Sequence, residues 1–250
     1  MHQLEGIQAE QILESYSGFG FRIIETQEYA ASLNLVETHA EQLLLEEILD
    51  TSKPPYRPDT EHLHYLLKTP FRYPPLNHGS RFASKTEPSL FYGSISLDTA
   101  LSEFAYYRFL FLNDILANYE GTNRAEFAYF KFAISSKRSC NLSGGIFKQF
   151  QKELTSRTNY TFAQEMGHWL RSNDVDFWLY KSVRDLNEGL NIAISNPCSF
   201  SSNKPLERVE ISCITTKAVV SVSIKERNQQ PVIFNLDDFT IQGKLPTPAP

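Results

Sequence analysis

The sequence predicts an α+β chain in which helices come first and a β-rich core follows. Apolar residues between positions 36 and 49 recur at helical spacing, whereas strand-like alternation dominates from residue 89 onward. No regular strand–helix alternation runs through the chain, which argues against a doubly wound parallel sheet. In the first helical stretch, Val36, Leu43, Leu44, Leu45, Ile48 and Leu49 fall on or near one face, among Glu37, Glu41, Glu46 and Glu47. Lys53-Pro54-Pro55 ends it, because proline lacks an amide hydrogen and restricts the residue before it.

The proline-punctuated stretch from Pro70 to Gly79 cannot be regular helix and must be an ordered loop or extended segment. Ser89 to Ile95 alternates as a short strand, with Leu90, Tyr92 and Ser94 on one face. Gly93 inside it marks a close approach by another backbone or a ligand. Ser96 can cap the next helix, with Asp98 in its first turn and Leu97, Ala100, Leu101, Phe104 and Ala105 as its buried stripe. Residues 126–134 read as a strand buried on both faces, and Asn141 to Gly145 as a polar break. Helical patterns follow at 146–154 and 161–172, the second opening on a candidate capping box, Thr161 to Gln164. Residues 175–182 alternate with Trp178, Tyr180 and Ser182 on one side. A polar turn at 184–189 leads to a strand at 190–195, and further β segments occupy 208–225 and 231–236. From Gly243 the proline-rich end reads as an unfolded tail.

Composition narrows the function. At 250 residues the chain is long enough for a substantial core, and 41% hydrophobic content excludes disorder. Its 24 Lys and Arg against 29 Asp and Glu give a net charge of −5 with no basic stripe, which argues against direct nucleic-acid binding. No apolar run approaches the roughly 18 residues of a membrane span. Glu5, Glu10 and Glu14 replace the basic and apolar regions of a signal peptide. Three cysteines without C-x-x-C spacing read as reduced thiols of a cytoplasmic protein. Gly18-Phe19-Gly20 lacks the third glycine of a dinucleotide fingerprint, since position 23 is Ile. His62 and His64 are a weak metal pair, with surface histidines the commoner reading. No phosphate loop, H-E-x-x-H or G-x-S-x-G is present, so an enzyme here needs a metal-free site of Arg, Tyr, Glu and Ser.

Those residue types are gathered in three pieces: Gly79-Ser80-Arg81-Phe82, Leu90-Phe91-Tyr92-Gly93-Ser94 and Thr99-Ala100-Leu101-Ser102-Glu103. A loop, a strand and the helix after it each supply one polar group, so Arg81, Tyr92 and Glu103 can converge on one cleft. Lys181-Ser182-Val183-Arg184 and Leu190-Asn191-Ile192-Ala193 follow downstream. From about Pro70 to Pro197 this pattern resembles the RES-domain proteins, bacterial toxins named for Arg, Glu and Ser. Many members have Gly-Gly-Arg-Trp where this chain has Gly79-Ser80-Arg81-Phe82, which keeps the arginine and an aromatic.

The resemblance implies an ADP-ribosyltransferase-like fold, with a mixed or antiparallel β core and an N-terminal helical extension. It divides the chain into a helical extension packed on the core at 1–69, a catalytic domain at 70–240 and a flexible tail at 241–250. It implies degradation of NAD⁺ at the nicotinamide–ribose bond by phosphorolysis or hydrolysis, with ADP-ribosyl transfer to a protein as the alternative and a non-catalytic interaction module as a third. NAD⁺ is then substrate rather than cofactor, inorganic phosphate a candidate co-substrate, and no metal is required. The implied partner is a helix-turn-helix antitoxin, with homo- or hetero-oligomers open. Residue matching implies functional positions at Arg81, Tyr92, Glu103 and Ser182, with a further arginine at Arg72 or its rival Arg22.

The residue types suit that chemistry. Nicotinamide leaves readily, so catalysis rests on stabilising an oxocarbenium-like ribose, and a carboxylate such as Glu103 can do this. Arginine forks at Arg81 and Arg72 fit a pyrophosphate, and Tyr92 offers an aromatic face and a hydroxyl. Ser182 suits hydrogen bonding better than nucleophilic attack, because no histidine motif stands ready to activate it. Tyr106 and Tyr107 are candidate pocket walls, with core packing the equal alternative.

Overall fold

A computed structural model of the chain describes residues 4, 6–26, 36–75, 77, 79–115, 121–225 and 230–247. Its eight strands are β1 (Glu14–Glu25), β2 (Phe91–Ser94), β3 (Asn123–Asn141), β4 (Phe177–Lys181), β5 (Leu190–Ile194), β6 (Glu207–Thr215), β7 (Val219–Ile224) and β8 (Val232–Asn235). The helices are α1 (His39–Thr51), α2 (Tyr65–Lys68), α3 (Leu97–Ile115), α4 (Gln151–Leu154) and α5 (Thr161–Ser172). The sheet runs β1-β2-β5-β4-β3-β6-β7-β8, and β1 also pairs along β3. Five strands therefore close a ring, β1-β2-β5-β4-β3, and β6 to β8 fan outward from β3. Within the ring only β3–β4 is parallel.

All five ring strands send alternate residues to one phenylalanine-rich cluster. It holds Phe91, Phe130, Phe132, Phe177, Ile192, Ile194 and Phe200, with Tyr16 and Ile24 of β1 against it. The alternation expected for residues 175–182 holds: Phe177 and Leu179 enter this cluster, while Trp178 and Tyr180 enter a second one with Phe82, Met166 and Leu170. A third cluster lies under α3, between Leu101, Tyr106 and Phe109 and the strands β3, β6 and β7. The ring is narrow where β1 meets β2. A Cβ on Gly20 would collide with the Phe132 ring, and one on Gly93 would stand 2.8 Å from the same ring and 3.0 Å from the Phe21 carbonyl oxygen. The close approach anticipated at Gly93 is thus real.

The helix expected after residue 36 is α1. Thr38 and Glu41 form its capping box, and the chain leaves it just before Lys53-Pro54. The structure departs from a wholly helical N-terminal third, however, because residues 14–25 form β1. Phe19, Phe21 and Ile23 alternate with Gly20 and Arg22, a period of two that is strand grammar. Nor does α1 bury its apolar stripe: Leu43, Leu44, Ile48 and Leu49 are exposed. Ser96 caps α3 as expected, its hydroxyl accepting from the Thr99 amide at 3.1 Å. At α5 the expected capping box does not form, and the N-cap residue Tyr160 makes no side-chain capping bond. Asn159 receives the Thr161 amide, and Gln164 is drawn away to the Ser80 carbonyl at 2.9 Å.

The tail also departs from expectation. Residues 241–244 close a turn, Leu245 packs against the cluster under α3, and Pro246 is buried. His64 serves locally, its Nδ1 accepting from the Leu66 amide at the start of α2. Among the described residues no group of three metal-ligating side chains forms, and no helix is long and apolar enough to cross a membrane.

Gly93→Ala should destabilise the fold by about 1–3 kcal/mol, since the added methyl has a ring on one side and a carbonyl on the other. A urea denaturation midpoint that falls at constant slope checks this; an unchanged midpoint would show that Phe132 can move aside.

Candidate active site

Loop 79–84 must turn sharply before it reaches β2. Gly79 makes the turn at φ +73°, and a Cβ there would run into the Ala83 carbonyl. The Ser80 amide then donates to that carbonyl at 2.7 Å. The Tyr92 hydroxyl accepts from the Phe82 amide at 3.1 Å and shares a hydrogen bond with Ser80 Oγ at 2.8 Å. Strand β2 therefore fixes the loop that presents Arg81, at the expense of the tyrosine hydroxyl. Tyr92 keeps its ring for the cavity, but its hydroxyl is engaged by the protein. Burial pushes this phenol up to about 12, against smaller opposing effects from those two bonds.

The Arg81 guanidinium lies 4.4 Å over the Tyr160 ring. Its Nη1 donates to the carbonyls of Leu154 and Ser156, at 3.1 and 2.9 Å. The last carbonyl of α4 and one from the turn after it thus supply partial negative charge to a cation that has no acidic partner among the described residues. Arg22 enters from β1, with Nη1 donating to the Tyr92 carbonyl at 2.5 Å and the guanidinium 5.0 Å from the Phe91 ring. Burial lowers its pKa to about 10, which leaves it charged at neutral pH. Its Nε is buried without a partner among the described residues.

Glu103 stands on α3 and faces the ends of β4 and β5. Ser182 Oγ and Asn191 Nδ2 both donate to its Oε1, each at 2.6 Å. No bond forms to Oε2 among the described residues. Ser182 Oγ also accepts from the amides of Arg184 and Asp185, at 3.1 and 3.0 Å. Ser94 Oγ donates to Asn191 Oδ1 at 2.7 Å, which directs the amide nitrogen of Asn191 toward the carboxylate. One carboxylate oxygen is therefore locked by strands β2, β4 and β5 acting together.

Arg22, Arg81, Tyr92, Glu103, Tyr107, Tyr160, Tyr180, Arg184 and Asn191 line a single cavity of about 620 Å³. Three guanidiniums against one carboxylate select for an anionic ligand, and the tyrosines supply aromatic walls. The structure thus brings together Arg81, Tyr92 and Glu103, with Ser182 behind the carboxylate. It does not bring in Arg72. That side chain lies 4.2 Å over the Tyr56 ring, donates to the Pro54 carbonyl, and reaches Asp50 at 3.4 Å. Its surroundings are the C-terminal end of α1 and the proline turn, so the upstream arginine of the cavity is its rival, Arg22. Tyr107 walls the cavity, whereas Tyr106 is core. Arg184 and Asn191 stand in the segments that carry the family pattern without being singled out as site residues, and Tyr160 escapes sequence reasoning altogether. That all three reach the cavity depends on strand pairing and loop packing.

A model of the RES domain matches residues 54–213, well over half of the chain. The chain belongs to the RES-domain family. No curated protein matches it. The RES match takes in Arg81, Tyr92, Glu103, Ser182, Arg184 and Asn191, while β1 with Arg22 lies before it and β7, β8 and the C-terminal turn lie after it. In this RES protein the cavity is therefore completed by a strand outside the matched segment.

Two outcomes follow. Ser182→Ala leaves two buried amides without their acceptor and should cost about 1–3 kcal/mol of stability, read by urea denaturation. A loss below about 0.5 kcal/mol would mean that water takes over both amides. Tyr92 and Tyr180 should remain neutral where free phenols ionise, since burial raises both. Because the folded-state value lies above the unfolded one, the stability linked to Tyr92 is whole below pH 10 and fades as pH climbs toward 12. Ultraviolet titration should show these phenols ionising late, together with unfolding; full ionisation of all twelve tyrosines near pH 10 in folded protein would contradict it.

Proposed function

We propose that this RES protein cleaves the nicotinamide–ribose bond of NAD⁺ and acts as a toxin. The observation that carries the reading is a lone carboxylate, Glu103, pinned through one oxygen in a cavity lined by three arginines. NAD⁺ offers an anionic pyrophosphate for arginine forks and a pyridinium–ribose linkage whose cleavage builds positive charge on the sugar. Arg22 and Arg81 grip the pyrophosphate. The tyrosine walls take the flat rings. Glu103, held by Ser182 and Asn191, uses its second oxygen to orient a ribose hydroxyl or the acceptor and to stabilise the oxocarbenium-like transition state.

The bond between ribose C1′ and the nicotinamide nitrogen breaks with its electron pair leaving on nicotinamide. An acceptor oxygen then bonds to C1′. With phosphate the product is a phosphorylated ADP-ribose, and with water it is ADP-ribose plus a proton. Ser182 acts as a positioning residue, because its hydroxyl proton already goes to Glu103. An ADP-ribosyltransferase-like fold, a cytoplasmic site of action, complexes with a helix-turn-helix antitoxin and no direct nucleic-acid contact belong to the same reading. It is supported by the family membership and the mixed sheet around the cavity.

Purified protein incubated with NAD⁺, with and without phosphate, should release nicotinamide, and Glu103→Gln should slow release by about 10²–10⁴-fold. Release in phosphate alone identifies phosphorolysis, and release in both identifies hydrolysis. Discrete labelled protein bands with slow free turnover would favour ADP-ribosyl transfer to a protein instead. Folded, partner-free protein that releases no nicotinamide and labels nothing would overturn the reading.

A further inference from the structure

Arg184 is a buried cation with few partners among the described residues. It is 4% exposed and lines the cavity, yet among the described residues no carboxylate lies within ion-pair reach. Its sequence neighbour Asp185 is spent elsewhere, accepting from the Thr99 hydroxyl at 2.8 Å and the Asn187 amide at 2.9 Å. Nη2 reaches only the Arg157 carbonyl, at 3.4 Å, and Nη1 is buried with no acceptor among the described residues. The Arg157 guanidinium is close enough that, after burial, Arg184 lowers its pKa further. A buried charge left without an anion and crowded by a second cation is costly, and an oxyanion relieves both terms.

What keeps Arg184 in place is a flat support. Its guanidinium carbon sits 3.6 Å over the Tyr106 ring, which is 1% exposed. The Tyr106 hydroxyl donates to the Pro246 carbonyl at 2.5 Å. Pro246 is itself held, since Lys244 closes a turn with Ile241 and Leu245 packs into the cluster under α3. A C-terminal segment outside the RES match thereby reaches the cavity through one side chain.

We propose that residues 244–247 form a clasp that fixes Tyr106 and so holds Arg184 as an oxyanion-binding group in the cavity. The ligand class is a phosphate oxyanion, either free phosphate or the pyrophosphate of a dinucleotide. The identity of that dinucleotide rests on the NAD⁺ reading; the anionic chemistry does not. Charge-assisted hydrogen bonds from a stacked guanidinium suit such an oxyanion, and the aromatic ring keeps the planar fork oriented.

The test is calorimetric binding of inorganic phosphate, pyrophosphate and ADP-ribose, none of which requires turnover. Arg184→Gln should weaken the anion that occupies this seat by about tenfold to a hundredfold. Tyr106→Phe keeps the ring but frees Pro246, and should weaken the same anion by about threefold to tenfold, as should a chain ending at Gly243. Phosphate that still binds when ADP-ribose is present marks a seat for the free ion. Phosphate displaced by ADP-ribose marks the pyrophosphate seat. Either result supports the proposal when it depends on Arg184. Unchanged affinity for all three ligands in Arg184→Gln would overturn it, and wild-type affinity in folded Tyr106→Phe would overturn the clasp. Tyr106→Phe decides that point alone if the shortened chain does not fold. Arg184-dependent anion binding without nicotinamide release would sink the NAD⁺ reading and leave this one standing.

Discussion

The seat of β1 between β2 and β3 is the constraint on which the rest of this molecule depends. Eleven residue pairs tie β1 along β3, from Glu14 to Glu25, and the Phe21–Ser94 pairing joins it to β2. Without β1 the ring of strands is open and the phenylalanine cluster loses the wall formed by Tyr16 and Ile24. The closure is tight enough that the Phe132 ring occupies the space beside Gly20 and Gly93, where side chains would otherwise stand. The same closure carries Arg22 to the Tyr92 carbonyl, so one packing event builds core and cavity together.

Around that ring, polar groups act in relays rather than singly. Ser94 orients Asn191, which holds Glu103; Ser182 gathers two amides and gives its proton to the same carboxylate oxygen. The Tyr92 hydroxyl secures the loop of Arg81, and the end of α4 secures its guanidinium. Each relay satisfies buried polar groups that would be expensive alone, and each leaves one charged face directed at the cavity. Stability and site geometry are consequently the same bonds counted once. Loss of any relay member is felt in both.

Much of this was legible along the chain. The strand at Phe91–Ser94, the cap at Ser96, the helix carrying Glu103 and the alternation through Trp178 and Tyr180 all follow from local pattern, because period and capping chemistry act over a few residues. Arg81, Tyr92 and Glu103 were legible as a group because they sit on a loop, strand and helix consecutive in sequence. The upstream arginine was not. Arg72 and Arg22 are both plausible from sequence, and only the pairing of β1 with distant β3 settles which one reaches the cavity. The C-terminal turn failed for a related reason: three prolines discourage regular structure, but they do not prevent a segment from being held by Leu245 and a single tyrosine bond.

The sequence by itself determined the α+β class, the periodicity of most elements, the chemistry available to the site and its family resemblance. These are properties of near neighbours, where sterics, capping and side-chain period act directly. Tertiary structure alone decided that the ring closes, that Arg22 rather than Arg72 stands in the cavity, that Ser182 supports a carboxylate, and that Arg184 rests on Tyr106. Those outcomes join residues about 70 or more positions apart, and no local free energy distinguishes them. They emerge only when burying the common core chooses one register among those the separate strands allow.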